Sequence, residues 1–126
     1  MSVLFAQSPP GRHWTSSSAP MVGLKLTIPR GAGDQAVVTL NVPNPYAEGS
    51  DFPGGAFSIT VNGTPLPAYA SFTYSEQKPQ SPGRMPTTLV VAVPLGNQTQ
   101  EILAVWQGLR GSNVVIDSPA SLSATI

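Results

Sequence analysis

Gln35-Ala36-Val37-Val38-Thr39-Leu40-Asn41-Val42 is the stretch that decides how this chain folds. Side chains of an extended strand alternate between two faces with a period of two. Ala36, Val38, Leu40 and Val42 therefore share one face and point inward. Working outward, the same alternation recurs. Gly23 to Ile28 puts Leu24, Leu26 and Ile28 on one side and Lys25 and Thr27 on the other. Pro29-Arg30-Gly31-Ala32-Gly33-Asp34 reads as the turn between the two. Ala56 to Val61 alternates around Phe57, Ile59 and Val61, and Ser121 to Ile126 around Leu122, Ala124 and Ile126.

The chain of 126 residues holds 12 Gly and 14 Pro, spread along its whole length, and they cut it into short extended segments. That pattern predicts an all-β sandwich or barrel with almost no helix. Further strands are expected at Ser2 to Gln7, Tyr69 to Tyr74, Thr87 to Val93, Glu101 to Gln107 and Val114 to Ile116. His13 to Ser18 reads either way, and residues 43 to 55 read as one long irregular loop. Asn62-Gly63 signals a tight hairpin, because both central positions of a type I′ turn take positive φ. The count of nine or ten strands suits a jelly roll. One domain spanning residues 1–126 is expected, with no repeat or linker.

Glu101 to Gln107 breaks the alternation. Ile102, Leu103, Ala104, Val105 and Trp106 are all apolar, so both faces need cover. In a two-layer sandwich one face of a strand meets water. A second buried surface in so short a chain is most simply a subunit interface. Val114 to Ile116 carries the same expectation.

Composition removes several function classes. Charged residues make up 10% and the formal net charge is +0, with no basic run. Neutralising nucleic-acid phosphates or anionic lipid needs clustered Lys and Arg, so neither partner is expected. With no cysteine, thiol catalysis, disulfides and thiolate metal sites are absent. His13 is the one histidine, which argues against a zinc site and a hydrolytic triad. The carboxylates show no glycosidase-like spacing, and Glu48 with Asp51 makes a thin calcium loop. No enzyme and no cofactor are expected. The start of the chain lacks the features of a conventional signal peptide, and no apolar run reaches membrane-spanning length. A cytoplasmic location, or export by another route, is expected.

Thr73-Tyr74-Ser75-Glu76-Gln77-Lys78-Pro79-Gln80-Ser81-Pro82-Gly83-Arg84-Met85-Pro86 is the stretch with chemistry in it. Each proline fixes φ and pushes the residue before it towards extended geometry. Ser81 and Arg84 are thus held in a narrow range of positions. Stiff loops on a β scaffold are where binding residues sit. Arg110 follows the doubly apolar strand and precedes the tight turn Gly111-Ser112. A guanidinium offers five donors in fixed geometry, which match adjacent hydroxyls and the ring oxygen of a sugar. Tyr46, Thr73, Tyr74 and Ser81 would add hydroxyl contacts and an aromatic wall.

Several blocks carry a family resemblance. They are Leu40-Asn41-Val42-Pro43 with Pro45-Tyr46-Ala47, Phe52-Pro53-Gly54, Phe72-Thr73-Tyr74-Ser75, Gly83-Arg84-Met85-Pro86, Arg110-Gly111-Ser112, and Ile116-Asp117-Ser118 with Ala120-Ser121-Leu122-Ser123-Ala124. In this order and spacing the chain, from about Gly23 to its end, resembles the N-terminal domain family of Burkholderia cenocepacia lectin C. The resemblance implies a jelly-roll β-sandwich of the tumour necrosis factor type, assembled as a homotrimer. It implies calcium-independent sites for L-fucose and fucosylated glycans between subunits. Tyr46, Ser81 and Arg84 would come from one subunit, and Thr73, Tyr74 and Arg110 from the next. Asp117 and Ser118 would line the adjacent saccharide pocket. Three positions depart from the family pattern: Ala56 and Pro119 stand where it has aromatic residues, and Pro82 where it has a threonine. The family's second, calcium-dependent lectin domain is not expected in a chain that stops at Ile126. A structural or adhesion trimer of the same fold, with altered or lost sugar specificity, is the alternative expectation.

Overall fold

The computed structural model describes residues 2–126. Eleven strands occur in that range: β1 Val3–Gln7, β2 His13–Thr15, β3 Ala19–Ile28, β4 Gln35–Val42, β5 Tyr46–Glu48, β6 Gly54–Val61, β7 Thr64–Thr73, β8 Thr87–Pro94, β9 Gln100–Leu109, β10 Asn113–Ile116 and β11 Ser121–Thr125. There is no helix among the described residues. One four-stranded sheet has the order β1-β11-β4-β8 and another the order β3-β9-β6-β7. A small third sheet, β2-β10-β5, lies beside them. Every pairing is antiparallel.

The opening octet is β4, with both bounds as expected. Ala36, Val38, Leu40 and Val42 are fully buried. They join one core with Leu24, Leu26 and Ile28 of β3, Phe57 and Ile59 of β6, and Ile102, Ala104 and Trp106 of β9. The inner faces of two sheets thus fill the space between them, as alternation requires in a sandwich. Asn62 and Gly63 take φ of 50° and 81°, the left-handed geometry of the expected hairpin. Asn62 also ties the turn to β9, accepting from Glu101 N–H at 2.8 Å and donating to Gln100 Oε1 at 2.9 Å.

Four expectations are corrected. Residues 43 to 55 are not one loop: β5 lies within them and pairs with β10, and β6 begins at Gly54. A three-residue strand is too short to display a period. β7 begins at Thr64, not Tyr69, and runs through Pro65 and Pro67. It is an edge strand, where a missing N–H costs no ladder bond. β3 begins at Ala19, because a register shift between Pro20 and Lys25 lets the strand pass Gly23 at φ 78°. Finally, Val114, Val115 and Ile116 need no partner subunit. β10 lies between β2 and β5 and against β6 and β9, so its own chain buries all three. The outer face of β9 differs, since Leu103 and Val105 remain half-buried.

Candidate functional site

The loop after β7 is tied down at several points. Tyr74 N–H donates to the Pro53 carbonyl at 3.0 Å, Phe52 N–H to the Gln77 carbonyl at 2.9 Å, and Met85 N–H to the Pro45 carbonyl at 2.8 Å. The Tyr74 hydroxyl donates to the Gly83 carbonyl across the loop and accepts from Ala47 N–H at 3.3 Å. Its ring meets Phe72 edge-on, with centroids 5.7 Å apart. Burial pushes the Tyr74 phenol above its ordinary value. The stiffness expected from the prolines is therefore reinforced by a tyrosine clamp.

The clamp aims Arg84. Nη1 donates to Asp117 Oδ1 at 3.0 Å and Nη2 to Asp117 Oδ2 at 2.7 Å, a two-point fork. Nη1 also donates to the Asn44 carbonyl at 3.2 Å. The guanidinium carbon stands 4.3 Å above the centre of the Tyr46 ring, within cation–π range. Asn44 Nδ2 in turn donates to Ser118 Oγ at 3.2 Å. Tyr46, Tyr74, Arg84, Asp117 and Ser118 thus form one group. Of the five guanidinium donors, three are taken. Among the described residues Nε–H and one Nη2–H have no partner, and the planar fork sets these two side by side.

A second group surrounds Arg110. Its backbone is left-handed, at φ 53°, as is that of Phe52, at φ 45°. Nε donates to the carbonyls of Phe52 at 2.8 Å and Asp51 at 3.2 Å. Nη2 donates to Thr73 Oγ1 at 2.8 Å and also reaches the Phe52 carbonyl. Both hydrogens of Nη1 are free among the described residues. Buried Ser112 holds the turn: its Oγ accepts from Gly54 N–H at 3.2 Å and lies 2.9 Å from the Gly54 carbonyl.

Thr73 and Arg110 are therefore together, and Tyr74 belongs with Arg84 in this chain. No hydrogen bond joins the two groups among the described residues. Ser81 is exposed on the loop, apart from both networks. Ala56 is half-buried on the outer face of β6, between Ser71 and Gln107. Sequence reasoning missed Asn44 and Ser112, and it missed that Arg84 finds its acid partner in Asp117. Such contacts span 33 to 74 residues of chain and leave no local signal. The other acids do not gather: Glu48 pairs with Arg12 at 3.3 Å, and Asp51 offers Arg110 its carbonyl. Among the described residues no cluster of three metal-ligating side chains occurs.

Fold and site together describe a β-sandwich with two solvent-facing arginine forks at the ends of its strands. The chain belongs to the family described as Bc2l-C, N-terminal domain, which matches residues 12–125. The match begins ahead of Gly23 and takes in β2 and the start of β3. Comparison with curated protein sequences found no match. Among solved structures, the CBM36-1 domain of a multidomain xylanase from the hindgut metagenome of Trinervitermes trinervoides is similar at 13% identity and a TM-score of 0.53, covering 99% of this chain and 98% of that one. Dimeric latent PorU from Porphyromonas gingivalis is similar at 13% identity and a TM-score of 0.54, covering 97% of this chain and 12% of that one. At these identities the likeness concerns the fold alone.

Proposed function

We propose that the protein is a lectin that binds L-fucose and fucosylated oligosaccharides, without catalysis and without a metal ion. The observation that carries the reading is the open pair of donors on Arg84. Two parallel N–H groups beside a tyrosine ring suit two neighbouring sugar oxygens above an apolar ring face. Asp117 fixes the guanidinium in place, so little freedom is lost when a sugar binds. Arg110, held by Thr73 and two carbonyls, offers its Nη1 donors in the same way. Each charge-assisted bond contributes about 1.5–3 kcal/mol where it is shielded from water. Family membership supports the sugar class, because the resemblance in sequence is to a fucose-binding domain.

Each arginine alone is half a site, and Tyr74, which clamps the Arg84 loop of its own chain, is proposed to face the sugar from the Arg110 side. In the proposed homotrimer, Tyr46, Ser81 and Arg84 of one subunit meet Thr73, Tyr74 and Arg110 of the next, with Asp117 and Ser118 lining the adjoining pocket. The strand order supports a jelly roll of the tumour necrosis factor type. With β2, β5 and β10 set aside, the remaining strands run first-eighth-third-sixth in one sheet and second-seventh-fourth-fifth in the other. Val3, Phe5, Val37 and Val90 are exposed on the outer face of the first sheet. These apolar side chains, interleaved with Thr39, Ser123 and Thr125 on the same face, mark the proposed subunit contact. Three weak sites on one assembly would give avidity for a glycosylated surface.

Ala56, Pro82 and Pro119 favour a second reading, a structural or adhesion trimer that kept the fold and lost the site. A glycan array separates the two. The lectin reading expects signal on fucosylated glycans above all others, and background at every fucoside contradicts it.

A further inference from the structure

The outer face of β6, β7 and β9 carries a groove of about 310 Å³ that the two arginine groups do not use. Register places its parts. Across the sheet, Leu109, Gly54 and Thr73 form one row, Gln107, Ala56 and Ser71 the next, and Val105, Ser58 and Tyr69 the third. The lining therefore runs from Leu109, in the row of Thr73, past Ala56 and Ser58 to Tyr69 and on to Pro65 and Leu66. Ala56 and Ser58 are small, so they leave a floor between strands. Tyr69 is the tall wall and is 66% exposed, a large apolar ring with nothing on it. From Thr73 to Tyr69 is four strand residues, about 13 Å at ~3.3 Å each.

We infer that this groove is a saccharide subsite, in which the Tyr69 ring stacks on a pyranose of the chain that extends from the fucose. The inference rests on the lectin reading above. The mixed lining is what a sugar needs: an apolar ring face for the C–H side, with Ser18, Ser58 and Gln107 supplying polar groups at the edges. A volume near the lower end of ligand pockets fits one ring, not a bulky apolar ligand. The separation from Arg110 means that the stacked sugar is at least two units along from the fucose. Tyr69 is thus a specificity-determining residue for oligosaccharides and has no part in holding the monosaccharide.

Titration of the full chain with methyl α-L-fucoside and with the trisaccharide 2′-fucosyllactose tests this. Tyr69→Ala should weaken the trisaccharide about tenfold and leave the fucoside within about twofold. Tyr69→Phe, which keeps the ring, should behave as the wild type. If the wild type binds both sugars and Tyr69→Ala loses neither, or loses both equally, the subsite is overturned while the lectin reading stands. Should the wild type bind neither sugar, both readings fall. Assembly mass measured on the same samples must be unchanged. A Tyr69→Ala protein that breaks into smaller species would assign the ring to a subunit contact and overturn the inference.

Discussion

Arg84 lays one edge of its guanidinium on Asp117 and its face over Tyr46, and leaves Nε–H and one Nη2–H without a partner among the described residues. Its fixed position was legible from the prolines around it, but its partner was not. Asp117 arrives from 33 residues away, a distance at which no local pattern signals the pair. Arg84→Ala should abolish fucose binding and leave the assembly intact. The ion pair is nearly half exposed, so its own contribution to stability is about 0–1 kcal/mol. Light scattering together with sugar titration checks both parts. Tyr74 is the clamp behind Arg84. Tyr74→Phe removes two hydrogen bonds and should cost about 1–2 kcal/mol in denaturant unfolding. Its phenol is raised in the folded state above the ordinary value of 10.0, first by burial. The contribution of the neutral hydroxyl is therefore complete below the unfolded value and is lost as pH rises through the higher folded one. An alkaline stability profile should lose that step in Tyr74→Phe and keep it in the wild type.

Among the elements, β4 was readable to the residue because one of its faces is wholly core and alternation is then strict. β5 was not readable, since three residues cannot show a period and its pairing partner β10 lies about 70 residues on. The prolines of β7 misled in a different way. They signal a break unless the strand is an edge, and edge position is a property of the sheet, not of the segment. Gly54, where β6 opens, shows how tightly the elements hold the Arg110 group. A Cβ there would collide with the Phe72 carbonyl oxygen. Gly54→Ala should destabilise the fold by about 1–3 kcal/mol in thermal or denaturant melts and shift Thr73 away from Arg110. A variant as stable as the wild type would show that the strands part there without strain.

At the scale of the whole molecule, the sandwich and its core follow from period-two patterning, whereas assembly does not. The doubly apolar β9 pointed to an interface, but its outer face is half-covered within the chain. The more exposed patch is Val3, Phe5, Val37 and Val90 on the opposite sheet. Residues from β1, β4 and β8 reach one face only after folding, with β11 between β1 and β4, so no single stretch advertises it. Phe5→Asp places a charge in that patch without touching the core. It should convert the proposed trimer to monomer in light scattering and weaken fucose binding with it, because each proposed half-site would lose its complement. A monomeric Phe5→Asp protein with full affinity would place the whole site within one chain. The central claim is that Arg84 and Arg110 of neighbouring subunits hold one fucose. Calorimetric titration of the wild type, Arg84→Ala and Arg110→Ala with methyl α-L-fucoside, in the presence of a calcium chelator, tests it most directly. The account predicts one site per subunit in the wild type, unaffected by the chelator, and no measurable binding in either variant. Undiminished binding in either arginine variant, or wild-type binding that disappears with the chelator, would contradict it.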